Sequence, residues 1–341
     1  MGFTPQRVAS VRCVCWIHAI SGGWSFLHKT GPMDELQFDG AVAVISGAGR
    51  GLGREYALFL ASRGARVVVN DFGVAISDTD DDGAAPAVNP ADEVVAEIIA
   101  AGGSAVANYD TVATVEGANA IVQTALDAYG TVDICVNNAG QVRMQPFANF
   151  PDEHIATVIS TQLMGTLNVG RAAWRVMQNN GGGRIINVSS GAGYGGFENS
   201  TVYSMAKAGV IGLTIAMANE GVPVGIGVNV IAPYAKTRVG TGFGAIPWSD
   251  ELAEWLHPRM VAPLVAWLAH SSCDVSGQCF AVGAGHVSRV AFAVNDGFTN
   301  RDLTPELLAQ HAADITEWPT KPVSGPDSPL MISMMSGYPG L

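Results

Sequence analysis

A regular alternation of short apolar runs with longer helical segments, beginning near residue 40, most constrains the fold of this chain. The apolar runs are rich in β-branched residues and mostly continuous, which is typical of buried parallel strands. The pattern predicts an α/β fold: a single doubly wound, Rossmann-type parallel sheet of about seven strands with helices on both faces. The predicted strands cover residues 41–46, 65–70, 104–109, 132–137, 184–189, 225–230 and 277–282.

Two segments interrupt this alternation. Residues 73–93 are acidic and contain proline and glycine, and we interpret them as an inserted, solvated surface loop rather than a metal site. Near the C-terminus, "LTPELLAQHAADITEW" (303–318) is predicted as one further helix. We divide the chain into a flexible N-terminal extension (1–38), a nucleotide-binding domain (39–285) and a C-terminal segment (286–341).

The N-terminal extension has two arginines followed by a short apolar run, as a signal peptide does. His18 interrupts that run, and no convincing small-residue cleavage site follows it. We therefore expect either a flexible extension or a natural start at Met33. The C-terminal residues "GYPGL" do not match a peroxisomal address of the Ser-Lys-Leu kind.

Charge and composition exclude several classes of partner. The net charge of −12 argues against nucleic acid and anionic membranes, and no apolar run reaches the roughly 18 residues that span a membrane. Five cysteines without a Cys-x-x-Cys motif form neither a disulfide framework nor a zinc pattern, and the seven histidines lack metal-ligand spacing. We expect a cytoplasmic protein without a bound metal.

A glycine-rich loop, "SGAGRGLG" (46–53), follows the first strand directly and opens a helix. Glycines let the backbone approach a pyrophosphate, and the amides at the helix start favour its charge. The glycine spacing is wider than in the usual dinucleotide fingerprint, but strand, loop and helix in this order predict a nucleotide site. The residues predicted to contact the nucleotide here are Gly47, Arg50, Gly51, Leu52 and Gly53.

The choice of nucleotide depends on two charged residues. Asp71 ends the second strand, where a carboxylate would accept hydrogen bonds from an adenosine ribose. This favours NAD, because a 2′-phosphate would meet a like charge. Arg50 is the opposing signal, since an arginine could accommodate that phosphate. We expect Asp71 to dominate because it lies at the ribose itself.

Tyr203 and Lys207 lie four residues apart in a predicted helix, in a chain that contains only four lysines. At this spacing the two side chains are neighbours on one helix face. A free tyrosine has a pKa near ~10, too high for a base at neutral pH, but a nearby ammonium favours the phenolate. The pair therefore predicts a general base that exchanges a proton with a substrate hydroxyl.

Four motifs together resemble the short-chain dehydrogenase/reductase family: "SGAGRGLG", "NNAG" (137–140), Ser190 and the Tyr203/Lys207 pair. Ser190 precedes Tyr203 by 13 residues, the usual interval in that family. The match covers roughly residues 39–285. It implies an NAD-dependent oxidoreductase that interconverts a secondary alcohol and a ketone, and a homo-oligomer (dimer or tetramer).

The resemblance also implies a role for each residue. Ser190 would hydrogen-bond the reacting oxygen, with the adjacent Ser189 as a rival that the spacing disfavours. Tyr203 would exchange the proton, and Lys207 would also hydrogen-bond the nicotinamide ribose. The residues that the resemblance places at the cofactor are Asp110, Thr111, Asn138, Ala139, Gly140, Ala235 and Thr237, together with Tyr203 and Lys207.

The sequence departs from the family pattern at two positions. Gln162 stands where most members have an asparagine that completes a catalytic tetrad, and we leave it out of the predicted catalytic residues. The loop after the sixth strand reads Pro233-Tyr234 instead of the usual Pro-Gly. This departure puts the geometry of the substrate loop in doubt.

Segments outside the catalytic motifs, above all "VAPLVAWLAHSSC" and "FAVGAG", resemble one branch of the family. This branch is the (3R)-hydroxyacyl-CoA dehydrogenase unit of peroxisomal multifunctional enzyme type 2, with its bacterial stand-alone relatives. It implies oxidation of (3R)-hydroxyacyl-CoA to 3-oxoacyl-CoA, and we expect the dehydrogenase alone, since the chain has no room for hydratase and sterol-carrier units. Two alternatives stay open: a hydroxysteroid or general alcohol dehydrogenase (a carbonyl reductase), and a non-catalytic nucleotide-binding regulator.

Overall fold

A computed structural model describes residues 35–73, 88–237 and 250–323. Eight strands in this part of the chain form one sheet in the order β3-β2-β1-β4-β5-β6-β7-β8. The first seven are parallel, and β8 is antiparallel to β7. The strands are β1 (Val42–Ser46), β2 (Arg66–Asn70), β3 (Ser104–Asn108), β4 (Ile134–Asn137), β5 (Gly183–Val188), β6 (Ile226–Pro233), β7 (Cys279–Gly283) and β8 (His286–Val290).

The helices complete the alternation along the chain. They are α1 (Gly51–Ser62), α2 (Pro90–Ala100), α3 (Val115–Tyr129), α4 (Asp152–Val158), α5 (Gly165–Asn179), α6 (Ala192–Gly195), α7 (Thr201–Gly221), α8 (Asp250–Trp255), α9 (Ala262–Ala269), α10 (Pro305–Gln310) and α11 (Ala312–Thr316). A π-helix, Ile159–Met164, joins α4 to α5. Short 3₁₀ turns cover Phe147–Asn149, Val222–Val224 and Pro258–Met260, and β9 (Ala293–Val294) pairs with β10 (Lys321–Pro322).

Successive residues of each central strand point into different halves of the core, one on each face of the sheet. In β1, Ile45 packs in one cluster with Leu60 of α1, whereas Val44 packs in the other with Ile121 of α3. A strand that is buried on both faces is apolar at most positions, which explains the nearly continuous apolar runs. The predicted doubly wound sheet, with helices on both faces, is confirmed.

The eighth strand was not predicted from the sequence. Ala284 and Gly285 both have positive φ (50° and 71°), as in the tight turns that favour β-hairpins, and they reverse the chain directly after β7. Most of β8 is exposed, so its sequence carries no continuous apolar run. An exposed edge strand of this kind lacks the signal that identified the other seven.

The prediction of one continuous helix over 303–318 is wrong. The structure has two short helices, α10 and α11, which are interrupted at His311 (φ −100°, ψ 18°). The His311 ring stacks on Phe298 with 3.8 Å between centroids. Neither helix contains a buried residue, so little burial favours one uninterrupted helix.

Several predictions fall outside the described residues, namely most of the N-terminal extension and residues 74–87 of the acidic loop. The domain boundaries at 38 and 285 stay predictions. In the part of the chain that the structure covers, one helix, Thr201–Val224, is long and apolar enough to cross a membrane. This helix comprises α7 and the turn after it, and α7 packs against β6 as a core helix does.

Candidate active site

The predicted site residues come together at one edge of the sheet, where the parallel strands end. The glycine loop follows β1, Asp71 follows β2, Asp110 lies beyond β3, Asn138 follows β4, and Ser190 lies just beyond β5. The strand order reverses between β1 and β4, and ligands of doubly wound sheets bind in the crevice outside the strand ends at such a point.

The glycine loop has no room for a side chain at Gly47 and Gly53. A Cβ on Gly53 would overlap the Gly47 carbonyl oxygen, and a Cβ on Gly47 would lie 2.8 Å from the Ala139 Cα. Gly47 also has a φ of 63°, which favours glycine. Arg50 precedes α1 without capping it through a side-chain hydrogen bond. The loop therefore fits a nucleotide pyrophosphate, because the first amides of α1 are free of a side-chain cap.

Asn138 and Ser46 join the loop after β4 to the glycine loop. The Asn138 Nδ2 donates hydrogen bonds to the carbonyl oxygens of Ser46 and Gly47, both at 3.0 Å. The Ser46 Oγ accepts from the backbone amides of Asn138 and Ala139, both at 3.1 Å. These bonds fix the two loops that would border a dinucleotide, although the contacts predicted for Asn138 and Ala139 with the cofactor stay predictions.

Asp71 is held directly against the glycine loop. Its carboxylate accepts a hydrogen bond from the Gly49 amide at 3.0 Å and another from the Gly73 amide at 2.9 Å. Arg50 forms no ion pair with any residue that the structure describes. The carboxylate therefore lies beside the start of the glycine loop, and its contact with the adenosine ribose stays a prediction.

The remaining predicted cofactor residues make contacts within the protein, and their contacts with the cofactor stay predictions. The Asp110 carboxylate accepts from the Asn108 Nδ2 at 2.8 Å, and the Thr111 Oγ1 accepts from the Ala113 amide at 3.2 Å. Thr237 approaches α1, since its Cγ2 would lie 3.7 Å from a Cβ on Gly51. Leu52 and Ala235 pack against the core cluster beside α1, and Gly140 lies against the side-chain amide of Gln162.

Ser190, Tyr203 and Lys207 form one group between β5 and α7. The Tyr203 hydroxyl is hydrogen-bonded to the Ser190 side chain. The Lys207 Nζ lies 5.7 Å from the centre of the Tyr203 ring and donates to the Val188 carbonyl oxygen at 2.7 Å. Tyr203 and Lys207 are each only 4% exposed. The arrangement places a proton-transferring phenol beside a hydroxyl that can bind the same substrate oxygen.

Burial shifts the pKa values of both titratable groups against their charged forms. It raises the pKa of Tyr203 to about 12, although the hydrogen bond with Ser190 acts in the opposite direction, and it lowers the pKa of Lys207 to about 7. The sequence-based expectation that the ammonium would favour the phenolate is therefore outweighed by desolvation here. At neutral pH Tyr203 is a protonated acid, and a positive charge beside it would lower its pKa.

The structure distinguishes the two adjacent serines. The Ser189 hydroxyl donates to the Lys207 carbonyl oxygen at 2.8 Å, and the side chain is buried. The Ser190 hydroxyl instead accepts from the Ala192 amide at 3.2 Å and reaches Tyr203. The positions of the two hydroxyls thus support the choice of Ser190 that the spacing favoured.

Gln162 lies in the π-helix and is buried against the loop after β4. Its Nε2 donates to the Gln141 carbonyl oxygen at 2.7 Å, and its Oε1 has no hydrogen-bond partner among the described residues. A Cβ on Gly140 would overlap this side chain. Gln162 therefore supports the loop that carries Asn138, and the π-helix that places it there has no signal in the sequence.

Sequence reasoning missed Tyr194, which is hydrogen-bonded to Tyr234 beside Ser190. Both tyrosines are partly exposed. Tyr194 belongs to no motif, and Tyr234 stands where the family pattern has a glycine. In the part of the chain that the structure covers, no three His, Cys, Asp or Glu side chains are grouped so that they could hold a metal ion.

Comparison with known proteins identifies the family. The model of the short chain dehydrogenase family matches residues 41–241, which is more than half of the chain. This region contains the glycine loop, residues 137–140, Ser190 and the Tyr203/Lys207 pair. The chain belongs to the short-chain dehydrogenase/reductase family. It is therefore an oxidoreductase that acts on CH–OH groups with a nicotinamide cofactor.

Two relatives with known names are similar in sequence to this short-chain dehydrogenase. A short-chain type dehydrogenase/reductase of Mycobacterium tuberculosis is 43% identical over 286 residues, covering 83% of this chain and 96% of the relative. Peroxisomal multifunctional enzyme type 2 of Mus musculus is 42% identical over 288 residues, covering 83% of this chain. The alignment spans only 37% of the mouse enzyme.

Solved structures agree with this assignment. A short chain dehydrogenase from Mycobacterium avium superimposes with a TM-score of 0.71 at 37% identity, covering 84% of this chain and 98% of that one. A 7α-hydroxysteroid dehydrogenase in complex with NADH and 7-oxo glycochenodeoxycholic acid superimposes with a TM-score of 0.64 at 28% identity, covering 73% of this chain and 95% of the other. The second structure shows that a protein of this fold holds a nicotinamide dinucleotide.

Proposed function

We propose that this short-chain dehydrogenase oxidises (3R)-hydroxyacyl-CoA to 3-oxoacyl-CoA with NAD. One observation carries the proposal: the Ser190–Tyr203–Lys207 group is assembled in a chain that is 42% identical to peroxisomal multifunctional enzyme type 2 over 288 residues. Relatives named peroxisomal hydratase-dehydrogenase-epimerase, from Neurospora crassa and Saccharomyces cerevisiae, add support at 38% and 39% identity.

The reaction breaks the O–H bond and one C–H bond of the secondary alcohol. A nicotinamide cofactor held at the glycine loop and beside Lys207 would supply the acceptor for the hydride of the carbinol carbon. The Ser190 hydroxyl hydrogen-bonds the reacting oxygen and steadies the charge that develops on it. Tyr203 accepts the hydroxyl proton in oxidation and returns it in reduction. A regulator that only binds nucleotide would need none of these three groups in contact, so their assembly weighs against that alternative.

The burial of Tyr203 affects how the rates of alcohol oxidation and ketone reduction depend on pH. Because desolvation raises the pKa of this phenol to about 12, the protonated form prevails at neutral pH. Protonated Tyr203 donates to a substrate oxygen in the reduction of a ketone, whereas oxidation needs the phenolate. Alcohol oxidation should therefore speed up as the pH rises above neutrality, and ketone reduction should not.

A CoA thioester offers binding energy far from the reacting carbon. Its pantetheine arm and phosphates can be bound remotely, and that energy can orient the carbinol carbon between Ser190 and Tyr203. A free hydroxy acid lacks this handle. The three catalytic side chains alone accept any secondary alcohol, so the substrate must be decided by measurement.

The test compares three compounds by NADH absorbance: a (3R)-hydroxyacyl-CoA, the same hydroxy acid without CoA, and the (3S) epimer of the thioester. We expect kcat/KM for the (3R) thioester to exceed both others by at least tenfold. A free alcohol or a ring-hydroxylated steroid that matches the thioester would instead favour the hydroxysteroid or general alcohol dehydrogenase.

The preference for NAD rests on Asp71. Its carboxylate lies 3.0 Å from the Gly49 amide, at the start of the glycine loop, where a 2′-phosphate would meet a like charge. We expect kcat/KM with NAD to exceed that with NADP by tenfold or more, about 1.4 kcal/mol. Asp71→Ala should narrow this preference, whereas Asp127→Ala on the exposed surface of α3 should leave it unchanged. Equal use of both cofactors by the wild type would show that Arg50 dominates.

We also propose a homo-oligomer that acts in the cytoplasm. The three cysteines that the structure describes (Cys135, Cys273 and Cys279) are all free thiols, which suits a reducing compartment. Sedimentation of the purified protein tests the subunit number, and fractionation of the source cells tests the location.

A further inference from the structure

Two tyrosines beside Ser190 take no part in the reaction described above. Tyr194 lies in α6 and Tyr234 directly follows β6, so they are 40 residues apart in the sequence but adjacent in the fold. Their side chains are hydrogen-bonded to each other. Tyr194 is 39% exposed and Tyr234 is 48% exposed, so the pair lies at the surface next to a buried catalytic group.

The backbone of Tyr234 is fixed by the sheet. Its amide donates to the Val282 carbonyl oxygen at 2.7 Å, which extends the pairing of β6 with β7 by one residue. Gly283 leaves space for it, because a Cβ there would lie 2.8 Å from the Tyr234 Cβ and would overlap its carbonyl oxygen. The direction in which the Tyr234 side chain leaves the sheet is therefore determined by the fold.

The Tyr234 ring ends against the residue that follows Ser190. A Cβ on Gly191 would overlap the Tyr234 hydroxyl oxygen and would lie 2.9 Å from its Cζ. Gly191 is buried, and its carbonyl oxygen accepts the amide of Gly195 at 2.8 Å, in the helix that carries Tyr194. The Tyr234 ring thus adjoins Gly191, and Tyr194 lies in the short helix that begins directly after Gly191.

This position matters because Ser190 has to touch the reacting oxygen. Any substituent on the carbinol carbon must then lie within a few bond lengths of the residues that adjoin Ser190. The CoA half of a thioester is highly charged, whereas the acyl tail is apolar and matches the faces of aromatic rings. A glycine after Pro233, as in the usual Pro-Gly loop, would leave the volume of the Tyr234 ring empty.

We propose that Tyr234, held by Tyr194, forms a wall against the acyl tail next to the carbinol carbon and limits the branching that the substrate can carry there. This inference rests on the proposed function, since it takes the acyl tail to be the substituent on that side. Tyr234 is a specificity-determining residue in this account and takes no part in proton transfer.

The test measures kcat/KM for two (3R)-hydroxyacyl-CoA thioesters of equal carbon number, one unbranched and one doubly methylated at C4. The ratio of branched to unbranched should rise by about tenfold or more in Tyr234→Ala, because one methylene in a pocket already changes discrimination by ~10–200-fold. Tyr194→Ala should move the ratio in the same direction, and it serves if Tyr234→Ala does not fold. A ratio that stays within about twofold in both folded variants overturns the inference.

Two further variants separate bulk from hydrogen bonding. Tyr234→Phe keeps the ring and loses the bond to Tyr194, so the ratio should stay within about threefold of the wild type. Tyr129→Phe removes another tyrosine hydroxyl, one that is bonded to the Ser104 hydroxyl at the opposite edge of the sheet, and should change nothing. A rise in Tyr234→Phe as large as that in Tyr234→Ala would refute a role for the ring volume.

A parallel pair of free secondary alcohols, one branched beside the carbinol and one not, distinguishes this inference from the proposed function. If the wild type does not oxidise thioesters but the ratio of kcat/KM for the branched to the unbranched alcohol rises in Tyr234→Ala, the substrate proposal fails. The role of Tyr234 as a wall is then still supported. If thioesters are oxidised and neither ratio moves, the wall fails and the substrate proposal stands.

Discussion

The Ser189 hydroxyl donates a hydrogen bond to the carbonyl oxygen of Lys207 at 2.8 Å, across the gap between the end of β5 and α7. The Lys207 Nζ in turn donates a hydrogen bond to the Val188 carbonyl oxygen at 2.7 Å. Two hydrogen bonds therefore fix the catalytic helix to the strand that precedes Ser190. The Ser190 hydroxyl instead interacts with Tyr203. Of the two adjacent serines, Ser189 therefore has a structural role and Ser190 a catalytic one.

Exchanging each serine for alanine should separate these tasks. Ser190→Ala should lower kcat by roughly 10²–10³-fold, the usual cost of one donor to a developing oxyanion, with little change in stability. Ser189→Ala should instead lower the free energy of unfolding by about 1 kcal/mol, because a buried hydrogen bond is lost. Urea denaturation and steady-state kinetics on both variants check this, and the reverse assignment would mean that Ser189 binds the substrate oxygen.

Tyr203→Phe removes only the hydroxyl group that carries the transferable proton, so it should abolish most turnover and leave cofactor binding nearly intact. The expected loss in kcat is ~10²–10⁴-fold, and binding is followed by NADH fluorescence. Tyr56→Phe is the matched control, since Tyr56 is fully buried and its hydroxyl has no hydrogen-bond partner among the described residues. If Tyr203→Phe retains more than about a tenth of the wild-type kcat, Tyr203 is not the acid–base group.

The fold was largely predictable because its main signal is local. A strand such as β1 is buried on both faces, so its first four residues, 42–45, form a continuous apolar run. Helix ends were readable for the same reason: α3 begins after Thr114, whose side chain accepts from the Gly117 amide, and stops at Gly130 with a φ of 80°. The exposed strand β8 and the break at His311 depend on contacts between distant residues, which no local pattern records.

The site was predictable only as far as its residues belong to motifs. Spacing brought Ser190 and Tyr203 together, and the structure places them in hydrogen-bonding contact. The net pKa shift of Tyr203 could not be read from the sequence, because desolvation depends on the whole surrounding core. Tyr194 and Tyr234 were missed as a pair for a similar reason, since they meet only when α6 and the end of β6 are packed side by side.

Gly53→Ala should disrupt the nucleotide site. The added Cβ would overlap the Gly47 carbonyl oxygen and would lie 2.9 Å from the Ala48 Cα, so the loop or α1 must shift. We expect the Kd for NADH to rise at least tenfold, roughly 1.4 kcal/mol. Gly212→Ala in α7 is the control, because nothing lies within 4 Å of its Cβ. The Gly212→Ala variant should keep its Kd for NADH and gain up to about 1 kcal/mol in stability from helix propensity. An unchanged Kd for NADH in Gly53→Ala would contradict the assignment of the glycine loop as the nucleotide site.

Lys207 should make the stability of the protein depend on pH. Burial lowers its pKa from 10.5 to about 7, so between these two values the unfolded chain binds one proton more than the folded protein. The stabilisation linked to this group is therefore complete above pH ~10.5 and is lost as the pH falls to about 7. In Lys207→Met this dependence disappears. The difference in free energy of unfolding, wild type minus variant, should therefore rise between pH 7 and pH 9. Lys321→Met, which removes an exposed lysine paired with Asp296, should show no such rise. Urea denaturation at three pH values checks this, and a difference that stays constant between pH 7 and pH 9 would mean that Lys207 stays charged in the folded protein.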